Sequence, residues 1–348
     1  MSFALNIYPY ISTVLSDQYV RSLIEEKTMS HVKKDDLYCM QSSSIINRYI
    51  SDNSTYYTKQ FVTRMATNAI YNPVMQHVKV RYARERFLRE KFIYEKLRLP
   101  YFIYADDENL LLILNEISHI SLHDTVYLSL CISHLKKDYD YLSDMEKHTA
   151  MELFNRDTET LIDIESNIDL LTETFPEFYF ECTGLFSPNL CWKVICKILN
   201  FNMDRISADK QKIYNSLVDV FSNVVFPIDE KDFRYVNLDA APRHLLFNGK
   251  SICPIDFEHM SIGPSEVSVS TFLYSYFSTM ETIDIGILWE SLRVNHVLDE
   301  LNEPMLLSLL ICRSCYEAIR RDIICPDENM QWQRLVNQLI EIWHSFNP

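Results

Sequence analysis

Glycine is the scarcest informative residue in this chain: four in 348 positions. So few glycines disfavour a dinucleotide-binding Gly-x-Gly-x-x-Gly turn or a Walker-type phosphate loop, since both need backbone that only glycine adopts cheaply. Basic residues are also in deficit. Thirty-three Lys and Arg stand against 48 Asp and Glu, a net charge of −15, which argues against nucleic acid as a partner because phosphate contacts need clustered cations. No run of eighteen apolar residues exists, so neither a membrane span nor a membrane partner is expected. The start, Met1-Ser2-Phe3-Ala4-Leu5-Asn6, lacks the basic region of a secretory leader. Nine cysteines, scattered and odd in number, suggest reduced thiols and a cytoplasmic setting. Cys312-Arg313-Ser314-Cys315 has no second pair and lies in a helical apolar run, which weighs against zinc or redox use. His119 and His123 are spaced for one helix face, but they lack the Glu of a zincin motif and read better as a polar loop pair. No internal repeat or low-complexity tract stands out, and the length suits one bilobal unit or two domains.

What is present concentrates in two short runs. The first is Asn237-Leu238-Asp239-Ala240-Ala241-Pro242-Arg243-His244, the second Ile255-Asp256-Phe257-Glu258. Between them, Asn248-Gly249 separates two apolar stretches and predicts a hairpin on a type I′ turn, with φ > 0 at both central residues. Such a hairpin brings Asp239 and His244 toward Asp256. Two carboxylates so placed can divide the work of phosphoryl transfer, one orienting the attacking hydroxyl and one holding Mg²⁺ on the nucleotide phosphates. Either carboxylate alone reads as an ordinary turn residue.

Upstream, Leu37–Gln41, Ser42–Ile50 and Thr55–Phe61 predict strands, the last two joined by a polar turn at Ser51–Ser54. Lys59 lies on the third, where its plain reading is a solvated edge-strand Lys. Apolar residues at Val80, Phe87, Phe92, Ile93 and Leu97 predict an amphipathic helix over Pro73–Leu97, with Glu85, Glu90 and Glu95 along it. Two further strands, Pro100–Tyr104 and Leu110–Leu114, flank an acidic turn and lead into Asn115-Glu116-Ile117. From Leu122 onward the chain is mostly helical, with runs at Asp124–Lys136, Leu185–Phe201, Ile213–Val225 and from about Ile285 to Phe346, where Pro304 and Pro326 are breakers.

In this order the motifs resemble the aminoglycoside phosphotransferase and choline kinase family, the small-molecule branch of the protein-kinase-like fold. The resemblance spans about Leu37 to Leu273. It implies an α+β bilobal fold: a small β-rich N-lobe over residues 1–115 and a larger, mostly helical C-lobe over 116–348. Within the C-lobe it implies a helical acceptor-site insert at about 138–230 and a catalytic and metal hairpin at 236–258.

It also implies roles. Asp239 takes the catalytic position and Asp256 the metal position. Lys59 contacts nucleotide phosphates and Glu90 holds it, with Glu85 and Glu95 as competitors for that place. Ser43 and Ser44 stand in the phosphate-covering loop where the family carries glycines. The backbone of Glu116 and Ile117 meets the base of ATP or GTP. The metal is Mg²⁺, or Mn²⁺, because His244 stands where the second ligand is usually Asn; Asn237 stands where His is usual. Ile262-Gly263-Pro264-Ser265 lacks the Asp the family often shows. The implied activity is transfer of the nucleotide γ-phosphate to a hydroxyl of a small molecule or peptide. Asp138–Glu181 holds thirteen acidic and two basic residues, which would favour a cationic acceptor but equally fits ordinary acidic surface. An alternative is a degenerate member that binds a ligand, peptide or partner protein without phosphoryl transfer. A third reading, phosphorylation of a peptide Ser or Thr followed by elimination, is permitted but has no residue of its own.

Overall fold

The computed structural model describes residues 14–41, 44–62, 73–118, 125–137, 146, 188–222, 224, 226, 230–279, 284–324 and 330–346. Ser42, Ser43, His119, His123, Pro326 and nearly all of the acidic 138–181 segment lie outside these residues. The chain divides into two compact units. One comprises Met1–Ser118 with Asp256–Glu258, the other His119–Ile255 with His259–Pro348.

The first unit is built on a five-stranded antiparallel sheet of β1 (Lys33–Gln41), β2 (Ser44–Ile50), β3 (Thr55–Phe61), β4 (Phe102–Asp106) and β5 (Leu111–Asn115), in the order β1-β2-β3-β5-β4. The middle place falls to β3, with Lys59 opposite Ile46 on β2 and Leu112 on β5. Lys59 is therefore not a solvated edge residue; a central strand has no open edge, and the side chain is buried. Successive side chains of a strand point to opposite faces. On one face Tyr56 joins Tyr49, Leu111 and Ile113 in a cluster with Val20 and Ile24. Those last two come from α1 (Asp17–Thr28), a helix that the strand signals alone did not predict. Its signal was present in Ser16-Asp17. Ser16 caps it by accepting the Tyr19 N–H at 3.2 Å, and Met29 ends it in a left-handed conformation, φ 54°. On the other face Phe61 meets Phe87 edge-on at 5.8 Å. Phe87 belongs to α2 (Pro73–Leu97), the helix predicted from apolar spacing.

The second unit is mostly helical: α3 (Thr125–Lys137), α4 (Pro188–Phe201), α5 (Ala208–Ser222), α6 (Glu266–Ser278), α7 (Ile285–Val294), α8 (Glu303–Ile324) and α9 (Met330–Phe346). Its centre is α6, buried on nearly every side, packed on α3, α8 and α9. Trp192 of α4 stacks on Phe221 of α5 at 4.9 Å, and Trp343 of α9 meets that Phe edge-on at 4.7 Å. Cys312 and Cys315 are buried and free within α8, and burial pushes both thiols well up, as expected of inert core cysteines. No described helix is long and apolar enough to cross a membrane.

Two short ladders carry the segment around Asp239. β6 (Arg234–Asn237) pairs with β9 (Met260–Gly263), and β7 (Leu245–Phe247) pairs with β8 (Ile252–Pro254). The β7–β8 hairpin forms, but not on the predicted type I′ turn. Only Gly249 takes a positive φ, 91°; Asn248 does not. Instead the Asn248 side-chain oxygen accepts the N–H groups of Lys250 and Ser251 at 2.9 and 3.0 Å. That local capping supports a four-residue loop, a competing use of the Asn side chain.

Candidate active site

In the first unit one buried ammonium gathers three carboxylates. Lys59 Nζ lies 2.7 Å from Glu90 Oε2 on α2 and 3.2 Å from Glu258 Oε2, and it donates to Asp256 Oδ1. Arg86, one helical turn before Glu90, reaches Glu258 Oε2 at 3.1 Å. Lys59, Arg86, Glu90 and Glu258 are all buried. Among the described acidic side chains of α2, Glu90 is thus the one at Lys59. Glu95 is exposed, 4.0 Å from Lys91, and the Glu85 side chain lies outside the described residues.

Charge arithmetic shapes this cluster. Three carboxylates face two cations, Lys59 and Arg86. Burial alone would favour a neutral Lys59, but Asp256, Glu258 and Glu90 outweigh it and hold the ammonium well above its ordinary range. Glu90 bears the excess. Burial, with Asp256 and Glu258 adding to it against the pull of Lys59, pushes its carboxyl up to about 7. Its second oxygen, Oε1, is buried and accepts no hydrogen bond from any described residue, as suits a carboxyl that readily takes a proton.

Asp256 has a distinctive backbone, with φ 65° in the left-handed region. Non-glycine residues pay for that conformation, Asp less than most, and such residues concentrate where a side chain must be aimed. The next residue, Phe257, is fully buried and meets Tyr94 of α2 edge-on at 5.1 Å. The run Asp256-Phe257-Glu258 is therefore held by β3 and α2 at each of its three positions. Single carboxyl oxygens of Glu90, Asp256 and Glu258 lie within 4.8 Å of one another, an all-oxygen set of the kind that Mg²⁺ prefers.

Asp239 belongs to the second unit, on a loop that is braced at several points. Asn237 Oδ1 accepts the Asp239 N–H at 2.8 Å, while Asn237's own N–H donates to Ser268 Oγ on α6 at 2.8 Å. The Asn at this position therefore supports the turn. Leu238 donates to His259 O at 3.0 Å, and its carbonyl accepts from Arg313 at 3.3 Å. Tyr127 of α3 directs its hydroxyl at the carbonyls of Pro242 and Leu245, each 2.8 Å away, and so spans the 3₁₀ turn Pro242–His244. These braces leave the Asp239 side chain 27 % exposed.

His244 is buried on the same loop, with both ring nitrogens engaged. Nδ1 lies 2.8 Å from the Asp239 carbonyl oxygen, and Nε2 accepts from Arg243 Nε at 2.9 Å. Arg243 also reaches Asp239 Oδ2, at 3.5 Å. A metal on Nε2 requires Arg243 to release it.

Of the remaining expected site residues, Ser44 opens β2 and is buried, and Ser43 lies outside the described residues. Glu116 donates its N–H to Thr55 O at 2.8 Å and accepts from the Tyr57 hydroxyl at 3.2 Å; Ile117 follows β5. Glu258, Arg86, Arg243 and Tyr127 were given no role by the sequence. Arg86 had one usable signal, its i,i+4 spacing to Glu90 on the same helix face.

No protein-family model and no curated protein matches this sequence. Solved structures are similar in fold. The choline kinase LicA from Streptococcus pneumoniae matches at 13% identity, covering 93% of this chain and 99% of that one, with a TM-score of 0.51. The ternary complex of APH(2″)-IIa with streptomycin and ATP matches at 12% identity, over 94% and 99% of the two chains, TM-score 0.49. A choline kinase from Cryptosporidium parvum matches at 10% identity, over 95% and 97%, TM-score 0.46. The first of these shows an α+β kinase-like fold, as the motif order implied.

Proposed function

We propose that this chain is a metal-dependent phosphotransferase that moves the γ-phosphate of ATP or GTP to a hydroxyl of a small molecule or peptide. The observation that carries the reading is the buried Lys59–Glu90 pair on β3 and α2 with Asp256, in left-handed backbone, against the same ammonium. A lysine held this way keeps its charge and a defined position, which phosphate binding needs.

In this reading the N-lobe runs to about residue 115, and the residues divide the work. Lys59 turns from Asp256 to the nucleotide phosphates, and Glu90 retains it. Ser43 and Ser44 cover the phosphates with backbone N–H groups, and the backbone at Glu116 and Ile117 meets the base. Asp239 orients the acceptor hydroxyl and takes its proton; the braces on Asn237, Leu238 and His244 fix where that carboxylate sits. Asp256 would hold the metal, with His244 as the second ligand that the motif order implies. When bound, the metal neutralises charge on the phosphate oxygens. The acceptor is a hydroxyl compound, cationic if the acidic 138–181 segment faces it, and the setting is the reducing cytoplasm that the cysteine usage suggests.

The test is thermal melting with ATP or GTP, each with Mg²⁺ or Mn²⁺. A rise of several degrees is expected for at least one pair, because a ligand that binds only the folded state stabilises it by mass action. No shift with any of the four sinks the proposal. One observation favours a second reading, a binding protein without transfer: both nitrogens of His244 are already engaged. That reading predicts a melting shift with nucleotide but no γ-phosphate transfer to any acceptor.

A further inference from the structure

We infer that Glu258, together with Arg86, is a positioning residue of the nucleotide site; the inference rests on the phosphotransferase reading. Glu258 is two residues past Asp256 and is buried, yet it is a third carboxylate at an ammonium that already has two. Phe257 alone would anchor the run, since its fully buried ring lies edge-on to Tyr94 at 5.1 Å. A further buried carboxylate beside Glu90 and Asp256 is costly unless it is matched. Arg86 matches it, 3.1 Å away and itself buried.

The pair has a use when Lys59 changes partner. As the ammonium turns to the nucleotide phosphates, the Asp256 carboxylate would be free to hold a metal. Glu258 would then be a buried anion facing incoming phosphate. Arg86 keeps it neutralised and pinned to α2, so the run 256–258 keeps its place while Lys59 moves. Without Arg86, the site would present an uncompensated carboxylate to a polyanion. Without Glu258, Arg86 would compete with Lys59 for Glu90 and Asp256, and the Asp256 run would lose a polar contact to α2. Glu258 thus works through Lys59 and Asp256 and is not assigned contact with the reacting atoms.

The experiment is a double-mutant cycle read in nucleotide affinity, by displacement of a fluorescent ATP analogue with Mg²⁺, on variants held well below their melting temperatures. Glu258→Gln and Arg86→Gln are each expected to weaken affinity about tenfold, the lower end for partners that orient a ligand-holding group. The double variant is expected to be no weaker than the worse single one, because the two side chains act as a unit. Arg86→Lys, which keeps the charge that matches Glu258, is expected to lose less affinity than Arg86→Gln. If Glu258→Gln does not fold, the comparison of Arg86→Gln with Arg86→Lys decides. Variants that melt lower but bind nucleotide as wild type does, or losses that simply add, would overturn the positioning role alone. A wild-type protein that binds no nucleotide overturns the phosphotransferase reading and this role with it.

Discussion

Glu90 Oε2 and Lys59 Nζ are 2.7 Å apart, both buried, and the carboxyl is held up near 7 while the ammonium keeps its charge. The pair is an ionic contact with a titratable half, because two more carboxylates share the same cation. Its titration has a sign that can be measured. A folded-state value of about 7 against an ordinary 4.5 means that the folded protein binds this proton more tightly than the unfolded chain. The stabilisation is complete below about pH 4.5 and is lost as pH rises through about 7, of order 3 kcal/mol at most for one group. In Glu90→Gln that contribution vanishes. Urea midpoints from pH 4 to 8 should fall with pH more steeply for wild type than for the variant. Parallel profiles would remove the raised carboxyl.

Asp256 separates backbone strain from chemistry. Its φ of 65° is one that glycine adopts freely. Asp256→Gly is expected to keep or raise stability by about 1 kcal/mol, and Asp256→Ala to lower it by about as much. Both should abolish nucleotide-dependent turnover if the carboxylate holds the metal. Melting curves and a phosphate-transfer assay on the two variants test this. Surviving turnover in either one would take the metal role away from Asp256.

Asp239 should show the opposite division. Its carboxylate is braced through the backbone, so Asp239→Asn keeps the loop's carbonyl contact to His244 and the Asn237 brace. Turnover should fall by about 10²–10⁴-fold, the range for losing a general base, with nucleotide affinity within about threefold of wild type. Equal loss in both quantities would indicate that Asp239 binds rather than orients.

His244 and Arg243 test the metal assignment. Arg243→Ala frees Nε2, so Mn²⁺-supported nucleotide binding should tighten if His244 is a ligand. His244→Asn, which replaces nitrogen with oxygen, should move preference toward Mg²⁺. Titrations with both metals give the ratio directly. A ratio unchanged in both variants leaves His244 as a brace of the Asp239 loop.

Tyr127 is a structural control. Its hydroxyl serves two carbonyls across the turn that ends in His244. Tyr127→Phe should cost about 1–3 kcal/mol through the buried acceptors left behind, measured by urea unfolding. A loss below about 0.5 kcal/mol would show that the turn holds without it.

By itself, the amino-acid sequence determined most of the elements and their order, α1 excepted: strands up to Phe61, the helix Pro73–Leu97, two more strands, then helices around a hairpin. These follow from local periodicity and turn chemistry, which act over a few residues. The placing of a Lys at position 59 and an Asp at 256 was legible in the same way, as motif order. The partner of Lys59 was not, because Glu85, Glu90 and Glu95 share one helix and spacing along it cannot show which face meets β3. Glu258 was legible as part of a run but not as a third carboxylate at Lys59, since that contact joins residues 199 positions apart. Asn248-Gly249 named a turn but not its type, because the Asn side chain had a competing use in capping Lys250 and Ser251. Burial, which turned Glu90 into a group titrating near neutrality, and the three carboxylates that keep Lys59 charged against that same burial are properties of the packed sheet and helix. Desolvation and long-range charge pairing exist only once distant segments are brought together, and so only the tertiary structure could decide them.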